Sequence, residues 1–196
     1  MKNPDLEKRL RRAIENARQA TSDFDLDTDY VPPAGRGLKP ASVLVAVTYG
    51  GDLVLTKRAA RLKHHAGQIA FAGGRQDETD RDLVHTALRE AHEEIGLDPE
   101  TVTILGQLPA HETVTSYTVT PIIAMVPPEQ VYIPEPNEVA EVFTVPLDHV
   151  LRLASYRIEG RHWRGQRRDY YTVPYGPFYI WGATARILHG LASSAA

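Results

Sequence analysis

Residues 74–97 read GRQDETDRDLVHTALREAHEEIGL, and this stretch decides the fold. Its periodicity predicts an amphipathic helix from about residue 80 to residue 95. Gly96 is well placed to end that helix, because glycine adopts the left-handed conformation of a helix C-cap without strain. At about 100° per residue, one stripe of the helix is apolar. That stripe consists of Val84, Ala87, Leu88, Ala91 and Ile95.

The opposite flank of the predicted helix is acidic and carries Glu90, Glu93 and Glu94. We expect these carboxylates to project away from the core together, where they repel one another as like-charge helix neighbours. A divalent cation would reverse the repulsion, and carboxylate oxygens suit magnesium or manganese. The cluster is compatible with a phosphate-handling metal site, but taken alone it does not carry that case, because a solvated acidic face is the commoner explanation of such a pattern.

The string Arg-Glu-Ala-His-Glu-Glu-Ile-Gly-Leu at residues 89–97 resembles the second half of the Nudix box. Gly74 matches the leading glycine of the box, and Asp80 follows it at the upstream acidic position. The family pattern has Glu there, followed by seven residues before the Arg, whereas eight separate Asp80 from Arg89. The partner of Arg89 is therefore open between Asp80, Asp77 and a carboxylate of the glutamate triplet.

A second segment, immediately upstream, resembles the accessory signature of coenzyme A-type Nudix hydrolases. It comprises Leu-Thr-Lys-Arg-Ala at residues 55–59, then Lys63, Gly67 and Phe-Ala-Gly-Gly at residues 71–74, with the signature's spacing throughout. Three positions differ, with Val54, Lys63 and Ala72 in place of Leu, Arg and Pro. Lys63 keeps the positive charge of the Arg but loses its bidentate fork.

This upstream segment is also basic, which fits coenzyme A because that molecule carries a 3'-phosphate beside its pyrophosphate. The available donors are Arg58, Arg61, Lys63, His64 and His65. Such groups form charge-assisted hydrogen bonds to phosphate. The predicted substrate-binding residues are Arg58, Arg61, Lys63, His64, Gly73 and Gly74. The plain alternative is a solvated basic loop.

The resemblance implies the Nudix fold, an α+β architecture in which a mixed β-sheet is sandwiched between helices as α/β/α. It implies a pyrophosphohydrolase that converts coenzyme A or acyl-coenzyme A to 3',5'-ADP and 4'-phosphopantetheine or its acyl derivative. The metal, Mg²⁺ or Mn²⁺, would be held by Glu90, Glu93 and Glu94. Arg89 would orient the helix, and either Glu94 or Glu138 would serve as general base.

The remaining pattern predicts strands and helices around this centre. Strands are expected at residues 42–49, 53–57, 68–71, 101–108, 117–126, 139–145, 156–158 and 169–173, and further helices at residues 4–20, 147–153 and 181–191. We expect residues 1–38 to be an N-terminal helix and connector, and residues 39–196 to be the Nudix hydrolase domain. The amphipathic N-terminal helix suggests a homodimer.

The composition excludes several other classes of protein. Cysteine is absent, which excludes disulfides, thiolate zinc sites and a cysteine nucleophile. The net charge of −3 gives no case for nucleic acid or membrane as a partner, and we expect a cytoplasmic protein. Neither a nucleophile elbow nor a Walker or Rossmann glycine pattern occurs.

Two alternatives to a coenzyme A hydrolase remain open. A Nudix hydrolase of ADP-ribose, NADH or a related dinucleotide would share the glutamate helix without requiring the basic segment. A Nudix module that binds a nucleotide without hydrolysing it is the weaker alternative, because such modules typically lack box carboxylates that this sequence keeps.

Overall fold

The fold was analysed in a computed structural model that describes residues 3–27, 35–163 and 166–196. The helices are α1 (Pro4–Asn16), α2 (Leu83–Ile95), α3 (Leu147–Val150) and α4 (Gly182–Ala195). The strands are β1 (Thr21–Ser22), β2 (Lys39–Thr48), β3 (Asp52–Arg58), β4 (Ile69–Ala70), β5 (Ala72–Arg75), β6 (Thr103–Gln107), β7 (His111–Glu112), β8 (Tyr117–Val126), β9 (Val139–Pro146), β10 (Arg157–Trp163) and β11 (Gln166–Thr172). Short 3₁₀ turns lie at Pro99–Thr101 and Leu153–Ser155.

The main sheet is mixed and is organised around β2. This strand pairs in parallel with β8 along its whole length, from Lys39 opposite Tyr117 to Thr48 opposite Val126. It pairs antiparallel with β3 and β5, and β3 in turn pairs antiparallel with β4 and β9. On the other side, β6 and β7 pair antiparallel with β8, and β1 runs parallel to β7. Strands β10 and β11 form a separate antiparallel hairpin.

Two hydrophobic cores cover the two faces of this sheet. Successive side chains of a strand point to opposite faces, so Leu44 and Ile122 join the core beneath α2. Their neighbours Val45 and Ile123 join the core that includes residues of α1, α3 and α4. The α/β/α arrangement predicted from the sequence is confirmed, and within the described residues the glutamate helix is the α-helix that packs on the face of Leu44 and Ile122.

Helix α2 has clear start and stop signals. Asp82 is its N-cap and accepts a hydrogen bond from the His85 amide at 2.7 Å. Gly96 ends it with φ 65°, and the amides of Gly96 and Leu97 bond back to carbonyls of the last turn, a Schellman-type arrangement. The predicted C-terminus is thus confirmed. The helix begins at Leu83 rather than near residue 80, because Asp80 lies before the N-cap and its side chain is buried in the protein.

Helix α1 is also confirmed, but it ends at Asn16 rather than at residue 20. The Asn3 side chain caps it, and its apolar residues Leu10 and Ala13 are buried in the core shared with α4. The apolar face that suggested a homodimer is therefore covered by the chain's own helix α4, and the dimer stays a prediction without that support.

The connector after α1 is more ordered at its start than the sequence suggests, because Thr21–Ser22 form a strand beside β7. Residues 28–34 of that connector lie outside the described residues. In the described part of the chain, no helix is long and apolar enough to cross a membrane.

Candidate functional site

The two glycines at residues 73 and 74 allow α2 to lie close against the sheet. Gly73 sits opposite Val43 in the pairing of β5 with β2, and a Cβ at this position would overlap the carbonyl oxygen of Ser42. At Gly74, a Cβ would lie 2.5 Å from the carboxylate of Glu90. The missing side chains thus create the space into which the acidic flank of α2 projects.

Glu94 occupies the innermost position of this space, with its side chain only 5% exposed. Its Oε2 accepts a hydrogen bond from the Gly73 amide at 3.2 Å, and its Oε1 lies 3.9 Å from Nη1 of Arg58. Burial raises the pKa of Glu94 to about 8, against the opposing effects of the Gly73 hydrogen bond and the Arg58 charge. The expectation that this carboxylate projects away from the core was wrong, because α2 packs this flank against a glycine backbone.

The other two carboxylates of the triplet have different surroundings. Glu90 is partly buried against Gly74, and burial raises its pKa while the neighbouring Arg89 opposes the shift. Glu93 is exposed and accepts a hydrogen bond from Arg89 Nη1 at 2.9 Å. The predicted acidic flank therefore grades from buried Glu94 through Glu90 to exposed Glu93.

The partner of Arg89, left open by the sequence, is chiefly Asp80. Its Nε and Nη2 donate to the two carboxylate oxygens of Asp80, while Nη1 donates to both Glu90 and Glu93. Asp77 lies farther away, at 3.8 Å. Arg89 thus connects the loop before α2 to two of the glutamates.

Sequence reasoning missed the further residues that surround Asp80. It accepts hydrogen bonds from the Asp77 amide and the Thr86 hydroxyl, and it contacts His85 Nδ1 at 2.8 Å. The Arg89 guanidinium, helped by these contacts, holds the pKa of Asp80 well below its usual range despite burial. The available signal was the position of His85 and Thr86 in the first turn of α2, the turn nearest to Asp80.

Glu138 reaches the site from the loop before β9. Its backbone carbonyl accepts a hydrogen bond from the Ala59 amide at 2.8 Å. Its charge contributes to the raised pKa values of Glu90 and Glu94, so this exposed carboxylate lies within electrostatic range of both. The structure thus brings Glu138, one of the two predicted general bases, near the glutamates of the helix.

The same loop packs over the end of α2, a feature that the sequence did not indicate. The Glu135 amide donates to the Glu94 carbonyl at 2.8 Å, and the Ile133 amide donates to the Ile95 carbonyl at 2.9 Å. These bonds satisfy two carbonyls of the last helical turn. They also fix the start of the segment that carries Glu138.

A divalent cation fits the chemistry of these donors. Glu90, Glu94 and Glu138 repel one another, and the two partly or fully buried ones are costly to ionise. Magnesium takes few protein carboxylates and completes its shell with water and phosphate. Across residues 3–27, 35–163 and 166–196 no three His, Asp or Glu side chains stand ready as a metal site. To join such a site, Glu93 would have to give up its ion pair with Arg89.

The basic segment divides into two parts. Arg58 is the last residue of β3 and lies beside Glu94. Arg61 donates to the carbonyl oxygen of Pro136, and Lys63 and His64 are exposed on the loop that follows. The predicted donors are thus neighbours in the chain, but of these donors only Arg58 contacts a glutamate of α2 within the part of the chain that the structure describes. The Gly73 amide donates a hydrogen bond to Glu94. Gly74 has no side chain, which leaves room for the Glu90 carboxylate beside its backbone.

Comparison with known proteins agrees with this architecture. The NUDIX domain model matches residues 38–164. A Cronobacter sakazakii protein named "Uncharacterized Nudix hydrolase NudL" is 44% identical over 156 residues, which cover 79% of this chain and 81% of the relative. The NudL protein of Citrobacter koseri is 38% identical over 185 residues, covering 91% and 96%. Among solved structures, the Nudix hydrolase RenU of M. smegmatis is similar, with a TM-score of 0.46, 25% identity, and coverage of 62% of this chain and 78% of that one.

Proposed function

Since the chain belongs to the Nudix hydrolase family, we propose that it cleaves the pyrophosphate bond of coenzyme A or an acyl-coenzyme A. The coarser activity follows from the family, whose members hydrolyse phosphorus anhydrides in nucleoside diphosphate derivatives. The products would be 3',5'-ADP and 4'-phosphopantetheine or its acyl form. A cytoplasmic location and a homodimer are further proposals.

One observation carries the choice of substrate. The basic loop begins at Arg58, whose guanidinium is 3.9 Å from the Glu94 carboxylate. The exposed side chains of Arg61, Lys63 and His64 follow directly in the chain. Coenzyme A needs both a site for its pyrophosphate and cations for its 3'-phosphate, and this segment supplies one cation beside the carboxylates and further exposed cations after it in the chain.

We assign the binding of Mg²⁺ or Mn²⁺ to Glu90, Glu93 and Glu94. A divalent ion held by these residues would neutralise charge on the phosphates and make a bound water more acidic. Gly73 holds Glu94 through its amide, and Arg89 holds Glu90 and Glu93. These contacts keep the three carboxylates on α2, and Glu93 would exchange its bond to Arg89 for the metal.

For the proton of the attacking water, we favour Glu138 over Glu94 as the acceptor. Glu138 is exposed, and within the described residues its carboxylate has no hydrogen bond or ion pair. Glu94 is buried and already held by Gly73. A group that takes a proton from water must be within hydrogen-bond reach of it, which an exposed carboxylate on a loop achieves more readily than a buried one.

A panel of four substrates tests the proposed substrate. We expect the highest kcat/KM for coenzyme A or an acyl-coenzyme A among coenzyme A, dephospho-coenzyme A, ADP-ribose and NADH. Dephospho-coenzyme A should be at least about tenfold poorer, because one charge-assisted hydrogen bond contributes roughly 1.5 kcal/mol or more.

Each other outcome of the panel has its own meaning. A preference for ADP-ribose or NADH would exclude the coenzyme A proposal and leave the family activity in place. If none of the four were cleaved with magnesium or manganese, a nucleotide-binding module without hydrolysis would be the better description.

A further inference from the structure

The position of Arg58 in the sheet is irregular. The pairing of β3 with β9 runs regularly as far as Lys57 opposite Glu141, and the register then shifts so that Arg58 lies opposite Val139. Irregularities of this kind redirect a side chain and are common beside active sites. The shift leaves Arg58 partly buried at the end of the strand, beside Glu94, whereas Lys57 is exposed.

The guanidinium of Arg58 has hydrogen-bonding capacity that the described part of the protein does not use. Its Nε is buried without a hydrogen-bond partner, and its Nη1 is 3.9 Å from Glu94, which is too long for a hydrogen bond. Arg89 differs, because its donors already contact Asp80, Glu90 and Glu93. Arg58 therefore combines a positive charge with free donors next to the carboxylates.

A substrate pyrophosphate would bring several negative charges to a place that already contains Glu90, Glu94 and Glu138. A guanidinium offers a planar set of donors that matches phosphate oxygens. Arg58 is 27% exposed, so one side of it remains open to a ligand. Lys63 and His64 are exposed on the following loop and are better suited to a phosphate that lies away from these carboxylates.

We propose that Arg58 binds the pyrophosphate group of the substrate at the site of cleavage, and not the 3'-phosphate. This inference rests on the proposed function only in requiring a pyrophosphate-containing substrate. Its consequence is that Arg58 serves every substrate that the enzyme cleaves, whereas discrimination for the 3'-phosphate falls to residues farther along the loop.

The first experiment compares Arg58→Gln with Lys57→Gln, which removes the same charge from the adjacent, exposed position. We expect Arg58→Gln to lower kcat/KM at least about thirtyfold, as for loss of a charged contact to the reacting group. The loss should be the same, within about threefold, for coenzyme A and dephospho-coenzyme A. Arg58→Lys should recover part of the activity, and Lys57→Gln should stay within about twofold of the original protein.

The second experiment measures binding without turnover. Methylenediphosphonate, a pyrophosphate analogue that water does not cleave, is titrated into each variant by calorimetry with magnesium present. We expect binding by the original protein and by Lys57→Gln, and at least about tenfold weaker binding by Arg58→Gln. The melting temperature of each variant reports whether it is folded, and Arg58→Lys carries the comparison if Arg58→Gln does not fold.

The outcomes separate this inference from the proposed function. A loss tenfold greater on coenzyme A than on dephospho-coenzyme A would place Arg58 on the 3'-phosphate and overturn the inference. If Arg58→Gln left both turnover and analogue binding unchanged, Arg58 would be only a counter-charge for Glu94, and the inference would fail. Absence of analogue binding by the original protein would also contradict the inference. If the original protein prefers ADP-ribose, the coenzyme A proposal fails, while equal losses across substrates still support Arg58.

Discussion

Arg89 and Asp80 form a two-point ion pair, in which Nε donates to Oδ1 and Nη2 donates to Oδ2, both at 2.9 Å. The Asp80 side chain is fully buried, and Arg89 also reaches Glu90 and Glu93 with its remaining Nη1. The pair therefore joins the loop that enters α2 to the carboxylates of the candidate site. A disturbance of Asp80 should affect both stability and the position of these glutamates.

We expect Asp80→Asn to lower the free energy of unfolding by about 3 kcal/mol, because it removes one partner of a buried ion pair. Urea unfolding at neutral pH measures this loss. Asp82→Asn is the matched control, since Asp82 is exposed and Asn is an equally good helix N-cap. A loss as small for Asp80→Asn as for the control would show that the pair contributes little.

The same pair predicts a dependence on acid. Because Arg89 holds the pKa of Asp80 below its ordinary value of 3.8, the charged carboxylate stabilises the fold above that pH. This stabilisation is lost as the pH falls below about 4 toward the lowered pKa of the folded state. The difference in unfolding free energy between the original protein and Asp80→Asn should therefore shrink as the pH falls from about 5 to about 2. A constant difference would contradict the assigned pKa shift.

Much of the fold follows from local sequence patterns. The Val- and Leu-rich run at residues 42–49, followed by turn residues, identified β2, and the structure explains why the run is apolar throughout, since Leu44 and Val45 face opposite cores. Gly96 marked the end of α2 because a left-handed C-cap favours glycine. Such features depend on neighbours in the chain, and a single sequence is sufficient to find them.

The candidate site was only partly predictable, because its details depend on contacts between distant segments. The helical period placed Glu94 with the solvent-facing carboxylates, whereas its burial arises from Gly73 on another element. The ring of donors around Asp80 and the bonds from residues 133 and 135 to the end of α2 likewise join separate parts of the chain. Family resemblance identified the residues, but the structure was needed to distinguish their surroundings.

Glu94→Gln should abolish turnover without weakening the metal-free protein at neutral pH. The pKa of Glu94 is raised from 4.5 to about 8 by burial, so folding favours its protonated form. The stability from this group is fully present below about pH 4.5 and is lost as the pH rises through about 8. Measured in the presence of a chelator, the free energy of unfolding should fall as the pH rises in the original protein and in Glu93→Gln. It should not fall in this way in Glu94→Gln. If the free energy of unfolding at pH 8 were lower for Glu94→Gln than for the original protein, the cost of burying a charged Glu94 carboxylate would be excluded.

The two glycines should respond differently to alanine. In Gly73→Ala the new Cβ meets the Ser42 backbone, which cannot move without disturbing the pairing of β2 with β5. We expect a loss of stability of about 2 kcal/mol or more, as for overpacking of a closed site. In Gly74→Ala the Cβ meets the end of the Glu90 side chain, which can rotate away.

Gly74→Ala should therefore lose at least about tenfold in kcat, through displacement of a predicted metal ligand, with a smaller loss of stability than Gly73→Ala. Thermal unfolding and steady-state kinetics on the same preparations test both statements. Equal stability of the two variants, or full activity of Gly74→Ala, would show that the close approach of Glu90 is unimportant.

Lys63→Ala tests the part of the basic segment that lies beyond the carboxylates. Lys63 is exposed, whereas the neighbouring Arg61 already donates to the Pro136 carbonyl, so Lys63 has the more freely available charge. We expect Lys63→Ala to raise KM for coenzyme A by about tenfold and to leave KM for dephospho-coenzyme A within about twofold, because a charge-assisted contact matters only where the 3'-phosphate is present. Stability should not change, since an exposed side chain is removed.

Lys57→Ala, which removes a charge from an exposed position on β3, should leave both KM values unchanged. Equal increases for the two substrates after Lys63→Ala would exclude Lys63 as the 3'-phosphate contact and direct the same comparison to Arg61 and His64.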